Sequence, residues 1–293
     1  MKKYRQIYLI LLPTILYYIV YRYIPMFGNI IAFQHYSITK GFLASPFIGL
    51  QNFRDFLGNY KFWELLRNTL SINVYDLIFG FPAPIILALL LNEVKCLRFK
   101  KTVQTITYMP HFISTVVISS MILTFVSGDG LINSIRGLFG GEAVSFMTNP
   151  NYFYPIYILS GIWQGIGWGS IIYIAALSSV DQELYEAAVI DGAGRWKQML
   201  NVTLPGIAPT IIIMLIMKIG TMLSVGYEKI ILLYNPSIYE KADVISTYVY
   251  RRGLLEGDYS YSAAVGMFNS IINLLLLLTA NTVSKKVSGN GLW

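Results

Sequence analysis

Six runs of roughly twenty apolar residues, separated by polar loops, leave this chain few ways to fold. They fall at roughly residues 7–25, 69–91, 103–126, 154–177, 207–233 and 263–283. About 20 apolar residues of helix cross the hydrocarbon of a bilayer, where a helix satisfies its own backbone polar groups. Hydrophobic residues make up 55% of the 293 and charged ones only 13%, well below the quarter usual in soluble domains. The predicted fold is therefore all-α and integral to the membrane, with six transmembrane helices in a single domain over residues 1–293.

Six spans put both termini on one side, and the positive charges say which. The terminal segments and short loops of that side carry Lys2, Lys3, Arg5, Lys95, Arg98, Lys100, Lys101, Arg195, Lys197, Lys285 and Lys286. The opposite loops are much longer and carry fewer lysines and arginines, so the positive-inside rule makes the termini cytoplasmic. The net charge of +7 is accounted for by this topology, which argues against a nucleic-acid partner. Lys2, Lys3 and Arg5 precede an apolar run with no small-residue cleavage site after it, so that run reads as a retained first span. A single cysteine, Cys96, excludes an internal disulfide framework, and His35 and His111 lie too far apart in sequence to suggest a metal site. The outer loops, at 35–67, 129–152 and 234–261, are rich in aromatics, and 36–62 reads as a partly amphipathic segment lying on the outer surface.

One short cytoplasmic stretch, residues 178–206, is polar between two apolar runs. Ser178 to Asp181 offer helix caps, Glu183 and Glu186 place acid in the first turns, and Leu184, Ala187, Ala188 and Val189 form a compact apolar face. Gly192 ends or bends that helix, and Leu204-Pro205 with Pro209 predict an abrupt start for the fifth span. The run LYEAAVIDGAGRWKQM, followed by TLPGIAPT, resembles the Glu-Ala-Ala loop of ABC-importer permeases, specifically the carbohydrate-uptake, maltose-type branch. Gln182 stands where that family often has proline, and Met199 where it usually has phenylalanine. The likeness extends along LLPTILYYIVYRYIPMFGNIIAF, SPFIGLQNF, GYEKIILLYNPSIYEKADVISTYVYRRG and the final GLW, and is similar to the complex-oligosaccharide subgroup.

The resemblance implies the six-helix maltose-type permease fold and a non-catalytic subunit of the cell membrane. It implies a second, non-identical permease subunit, two copies of an ABC ATPase and an extracytoplasmic solute-binding protein that delivers an oligosaccharide. It further implies that Glu186, Ala187, Ala188, Asp191, Gly192, Leu204 and Pro205 couple to the ATPase. The chain lacks a GxxxxGK[ST] phosphate loop, so ATP and magnesium belong to the partner ATPase and no cofactor is expected here. A permease for a non-sugar solute is the alternative. A secondary transporter is less favoured because no duplicated halves are visible.

Polar residues recur at helical spacing inside the spans. Thr69, Asn73, Asp76 and Gly80 share one face, as do Ser262, Gly266, Asn269 and Asn273. The third span offers Tyr108, His111, Thr115 and Ser119, and the fourth Trp163, Gln164, Gly167, Trp168 and Tyr173. Polar groups facing lipid are costly, so these faces point inward, either as interhelical glue or as pathway lining. Sugars are held by aromatic rings on their C–H faces and by amides and carboxylates on their hydroxyls. The pathway residues expected on that basis are Asn73, Asp76, Trp163, Gln164, Trp168, Tyr173, Tyr227, Glu228, Asn269 and Asn273. Asp76 suits a pathway or an ion pair. Its opposite-sign counterpart Lys218 is placed to snorkel to the cytoplasmic interface, so the two need not meet.

Overall fold

The computed structural model describes residues 5–293. Lys2 and Lys3, counted above among the cytoplasmic charges, lie outside the described residues. The main helices are α1 (Ile7–Phe33), α2 (Phe62–Glu93), α3 (Leu97–Phe112), α4 (Thr115–Phe125), α5 (Pro150–Leu177), α6 (Gln182–Ile190), α7 (Arg195–Ile219), α8 (Tyr227–Leu233) and α9 (Tyr259–Ser288). Five are long and apolar enough to cross a membrane, and α3 with α4 makes a sixth span if the bent pair is taken as one.

Three of these helices share one device. Each holds a π turn, at Ile19–Tyr23, Asp76–Gly80 and Met199–Thr203, in which the next residue donates its N–H five positions back. The residue after that donor is in every case a proline: Pro25, Pro82 and Pro205. A proline has no N–H to give, and its ring crowds the carbonyl four residues earlier. Widening the preceding turn removes both problems without ending the helix. The predicted abrupt start of the fifth span at Leu204-Pro205 is therefore corrected: α7 begins at Arg195 and runs straight through Pro205 to Ile219.

Two other spans end differently from their apolar runs. The run at 103–126 is broken, with α3 and α4 bent by 101°. Pro110 withholds a donor in the last turn of α3, and Ile113 and Ser114 are extended at ψ 135 and 149°. Ser114 then caps α4 by accepting from Val117 N at 3.4 Å. The run at 207–233 stops being helical at Ile219, and α8 follows only after a non-helical stretch. Asn273 on α9 takes up the freed backbone: its Oδ1 accepts from Leu223 N at 2.9 Å, and its Nδ2 donates to Ser224 Oγ at 2.8 Å.

Contacts divide the chain into two units. The first holds the described residues up to Phe62 together with Tyr248–Ile271. In it Phe56 is buried, with its ring 5.1 Å from that of Phe62 and 5.5 Å from that of Phe268. Asn52 fastens the segment after α1 by donating to the carbonyls of Ala32 (2.8 Å) and Gln34 (3.2 Å), and Asn59 donates to the hydroxyls of Tyr248 and Tyr261. Residues 36–62, expected as one partly amphipathic surface segment, contain the short helices Gly41–Ala44 and Gln51–Leu57.

The second unit holds Trp63–Thr247 and Ile272–Trp293. Ile72, Ile118, Phe153, Ile158, Ile230 and Val244 are the centre of one core, which joins α2, α4, α5 and α8. Asn68 is fully buried and donates to the carbonyls of Glu240 and Asp243, both at 2.9 Å, while Thr69 Oγ1 accepts from Ile245 N. These bonds pin the loop after α8 onto α2. Helix α5 approaches its neighbours through glycine: a Cβ on Gly167 would collide with the carbonyl of Thr107 on α3, and one on Gly169 would stand 3.2 Å from Pro84 of α2.

Gly167→Val should therefore cost about 1–3 kcal/mol, as overpacking does, and lower the melting temperature of the purified complex. Gly137→Ala, where a Cβ meets nothing within 4 Å, serves as the neutral control. Equal melting temperatures would refute the close approach.

Candidate functional site

Between 178 and 193 the polar stretch folds as expected from its residues. Asp181 caps α6 by accepting from Glu183 N at 3.0 Å. At the other end, Gly192 N donates to Val189 O at 3.0 Å and Ala193 N to Ala188 O at 2.8 Å, the paired bonds of a Schellman ending. This ending needs a left-handed residue, and Gly192 supplies φ +74°. Tyr185 and Ala188 face home, whereas Glu186, Ala187 and Asp191 are exposed. So are Leu184, Val189, Ile190 and Trp196, with Ile190 at 86%. This nine-residue helix thus shows apolar side chains beside carboxylates on its outward side.

The home side of α6 joins the membrane helices. Tyr185 Oη lies 3.0 Å from Thr203 Oγ1, and Gln198 Nε2 donates to Ala193 O at 2.8 Å. Tyr185 also packs on a core formed by Ile85, Ala88, Tyr173, Leu177, Val180 and Ile207. Gly206 lets α7 close on Val180, whose nearest methyl would stand 2.9 Å from an added Cβ.

On its far side the same core borders a cavity. Phe81, Tyr173 and Met214 belong to both. The cavity has a volume of about 460 Å³ and is walled by α2, α5 and α7. Asp76 and Lys218 line it and form an ion pair, Lys218 Nζ donating to Asp76 Oδ2. This corrects the placement of Lys218 at the interface: the π turn that begins at Asp76 and the bare Cα of Gly80, where any Cβ would strike the Asp76 carboxylate, leave room for the pair.

Of the expected pathway residues, the structure brings Asp76 and Tyr173 to this cavity. Asn73 is buried one turn earlier and donates to Thr69 O at 2.8 Å. Trp163 borders a different, apolar cavity beside Met121, Phe125 and Leu159. Trp168 stacks on His111, with centroids 4.5 Å apart and planes at 2°. Gln164 is half-buried and lines neither cavity. Tyr227 and Glu228 are exposed at the start of α8, Asn273 clamps residues 223 and 224, and Asn269 lies in the first unit with its Oδ1 buried and unpaired. Sequence reasoning did not single out Asn68 and left the pairing of Lys218 with Asp76 open, because each acts on a partner more than 140 residues away. No group of three or more metal-ligating side chains occurs among the described residues.

A family model described as "Binding-protein-dependent transport system inner membrane component" matches residues 74–288, which include the whole of α6, α7 and the cavity. The chain belongs to that family. It is thus a non-catalytic, multi-pass permease subunit of an ABC transporter in the cell membrane, and its all-α fold is that of the family. The permease is 45% identical to Protein LplB of Bacillus subtilis (strain 168) over 294 residues, covering 100% of this chain and 92% of the relative. It is also 45% identical to the polygalacturonan/rhamnogalacturonan transport system permease protein YteP of the same organism, covering 99% and 90%. Among solved structures, a chain of a bacterial alginate ABC transporter, crystallised with an alginate pentasaccharide-bound periplasmic protein, superposes with a TM-score of 0.91. That pair is 42% identical, over 99% of this chain and 98% of the other.

Two expectations test this geometry. Gly192→Val forces a branched residue into the left-handed region, at roughly 1–2 kcal/mol, and should speed amide exchange in α6 of the assembled transporter roughly 5–30-fold. Unaltered protection would refute the strained ending. For the ion pair, Asp76→Asn and Lys218→Met should each lower thermal stability, and the double change should recover part of the loss. A coupling free energy on the order of 1 kcal/mol is expected for a pair left about a third exposed, and strict additivity would refute it.

Proposed function

We propose that this permease carries oligosaccharides inward, delivered by an extracytoplasmic binding protein and driven by a separate ATPase. The carrying observation is the end-to-end likeness to the alginate transporter chain. A second, non-identical permease subunit and two copies of an ABC ATPase complete the assembly in this reading, with ATP and magnesium held by the ATPase. Residues 1–293 act as one transmembrane domain with both termini and the 178–206 loop in the cytoplasm, in keeping with the excess of lysine and arginine on that side.

The coupling residues are Glu186, Ala187, Ala188, Asp191 and Gly192 on α6, with Leu204 and Pro205 at its connection to α7. The exposed carboxylates and apolar side chains of α6 dock on the ATPase. When the ATPase dimer closes, α6 moves as a rigid piece, because its caps, the Tyr185–Thr203 contact and the core around Val180 and Ile207 hold it. Packed cores move as units and do not stretch, so the displacement passes to α5 and α7 and thus to the cavity walls. Asp76 and Tyr173 belong to the pathway in this reading. Asn73, Trp163, Gln164, Trp168, Tyr227, Glu228, Asn269 and Asn273 remain pathway residues for other stages of the cycle.

Glu186→Lys and Gly192→Pro should each reduce uptake into proteoliposomes at least tenfold and abolish its coupling to ATP hydrolysis, while the chain still inserts. Wild-type uptake and substrate-stimulated ATPase in both variants would refute the docking assignment.

A further inference from the structure

An open groove between α2 and α5 changes chemistry along its length. Its volume is about 540 Å³, and its walls come from Tyr75 and Phe79 of α2 and from the face of α5 between Asn151 and Ile162. Lys241, in the loop after α8, lines the end beside Asn151 and Tyr154. Beyond Tyr154 the α5 wall is hydrocarbon alone: Pro155, Ile158, Leu159 and Ile162. Phe79 is 56% exposed and Leu159 66%, so the groove opens outward from the chain.

The length of the groove matches one leaflet. Helix α5 has 28 residues, about 42 Å, whereas the hydrocarbon of a bilayer is about 30 Å thick. Its first turn therefore stands among headgroups, and Ile162 lies near its middle. From Asn151 to Ile162 the helix rises about 16 Å, close to the roughly 15 Å depth of one leaflet. The groove thus follows the course of one acyl chain, with Tyr154 at the level where aromatic residues meet the membrane interface.

The headgroup end offers donors and positive charge. Asn68 holds the carbonyls of Glu240 and Asp243 and so fixes the backbone on both sides of Lys241. Lys241 Nζ donates to Asn151 Oδ1 and stands 6.0 Å from the centroid of the Tyr154 ring. An ammonium has three protons, so these neutral partners leave it more to give. The Nδ2 of Asn151 and the hydroxyl of Tyr75 have no hydrogen-bond partner among the described residues. Arg67, which donates to the Glu240 carbonyl at 3.2 Å, adds a second positive charge nearby. No carboxylate among the described residues lines the groove or pairs with Lys241. An apolar helix laid here would cover the hydrocarbon and leave the donors unanswered, and a free phosphate would do the reverse. A phospholipid answers both.

We propose that this groove binds an anionic phospholipid, with its phosphate on Lys241 and Asn151 and one acyl chain along Phe79, Ile158, Leu159 and Ile162. The leaflet is the outer one in the topology proposed above, and the site does not depend on the cargo.

The test titrates the complete, detergent-purified importer with phosphatidylglycerol or with phosphatidylcholine carrying the same chains, and reads bound lipid by native mass spectrometry. The wild-type complex should hold phosphatidylglycerol more tightly. Lys241→Gln should weaken phosphatidylglycerol about fivefold, the effect of one basic residue near a headgroup, and change net-neutral phosphatidylcholine much less, while Lys241→Arg should keep the wild-type value. Leu159→Trp, which fills the apolar length, should weaken both lipids. Lys61→Gln, on a lysine that does not line the groove, is the control. Unaltered binding in both Lys241→Gln and Leu159→Trp, or the same loss in Lys61→Gln, would overturn the site. Displacement of the lipid by inorganic phosphate would overturn the acyl-chain assignment. These results leave the importer reading untouched, because no cargo is present.

Discussion

A helix break inside a membrane has to be repaired by something other than water. Inside hydrocarbon an unpaired N–H or C=O costs several kcal/mol, and the structure answers that constraint in three ways. Proline is accommodated by a π turn just before it, three times over. Where the backbone leaves the helix altogether, a side chain takes its place: Ser114 at the start of α4, Asn273 beyond α7, Thr69 against Ile245. Where two helices must come closer than side chains allow, glycine removes the obstacle, as Gly167 does against Thr107.

Those repairs also decide what the permease can transmit. The cluster of Ile85, Tyr173, Val180 and Ile207 touches Tyr185 of α6 and also Phe81 and Met214, which line the cavity together with Tyr173. One packed body thus reaches from the exposed helix α6 to the cavity. The Tyr185–Thr203 contact and the closed ends of α6 fasten that helix to the same body.

Much of this was legible in the residues. Hydropathy located the apolar helices, and the caps at Asp181 and Gly192 were readable because capping is local chemistry between residues two to five apart. The breaks were less legible. Hydropathy is blind to the 101° bend at Pro110, since both sides are apolar, and a window that averages over twenty residues ran α7 and α8 together. The pairing of Asp76 with Lys218 and the anchoring of residues 240–247 by Asn68 depend on tertiary approach across long sequence separations, which no spacing rule encodes. The rows of α2 and α9 are buried or half-buried as expected, whereas His111, Trp163 and Trp168 are exposed, because periodicity gives only a face. It does not say that Trp168 meets His111 while Asp76 meets a cavity.

The π turns have one more consequence. Each inserts a surplus residue, so the halves of a helix on either side of it are out of step by one residue's rotation, about 100°. In α2 that phase slip starts at Asp76. The faces predicted by counting in threes and fours from Thr69 hold up to Asp76. Gly80 still lies under the Asp76 carboxylate and lines the same cavity, and the change of phase falls on the helix beyond it. A deletion of a single residue between 76 and 80 would restore a regular helix and swing one half of α2 round against the other, while Asp76 and Gly80 themselves stay in the chain.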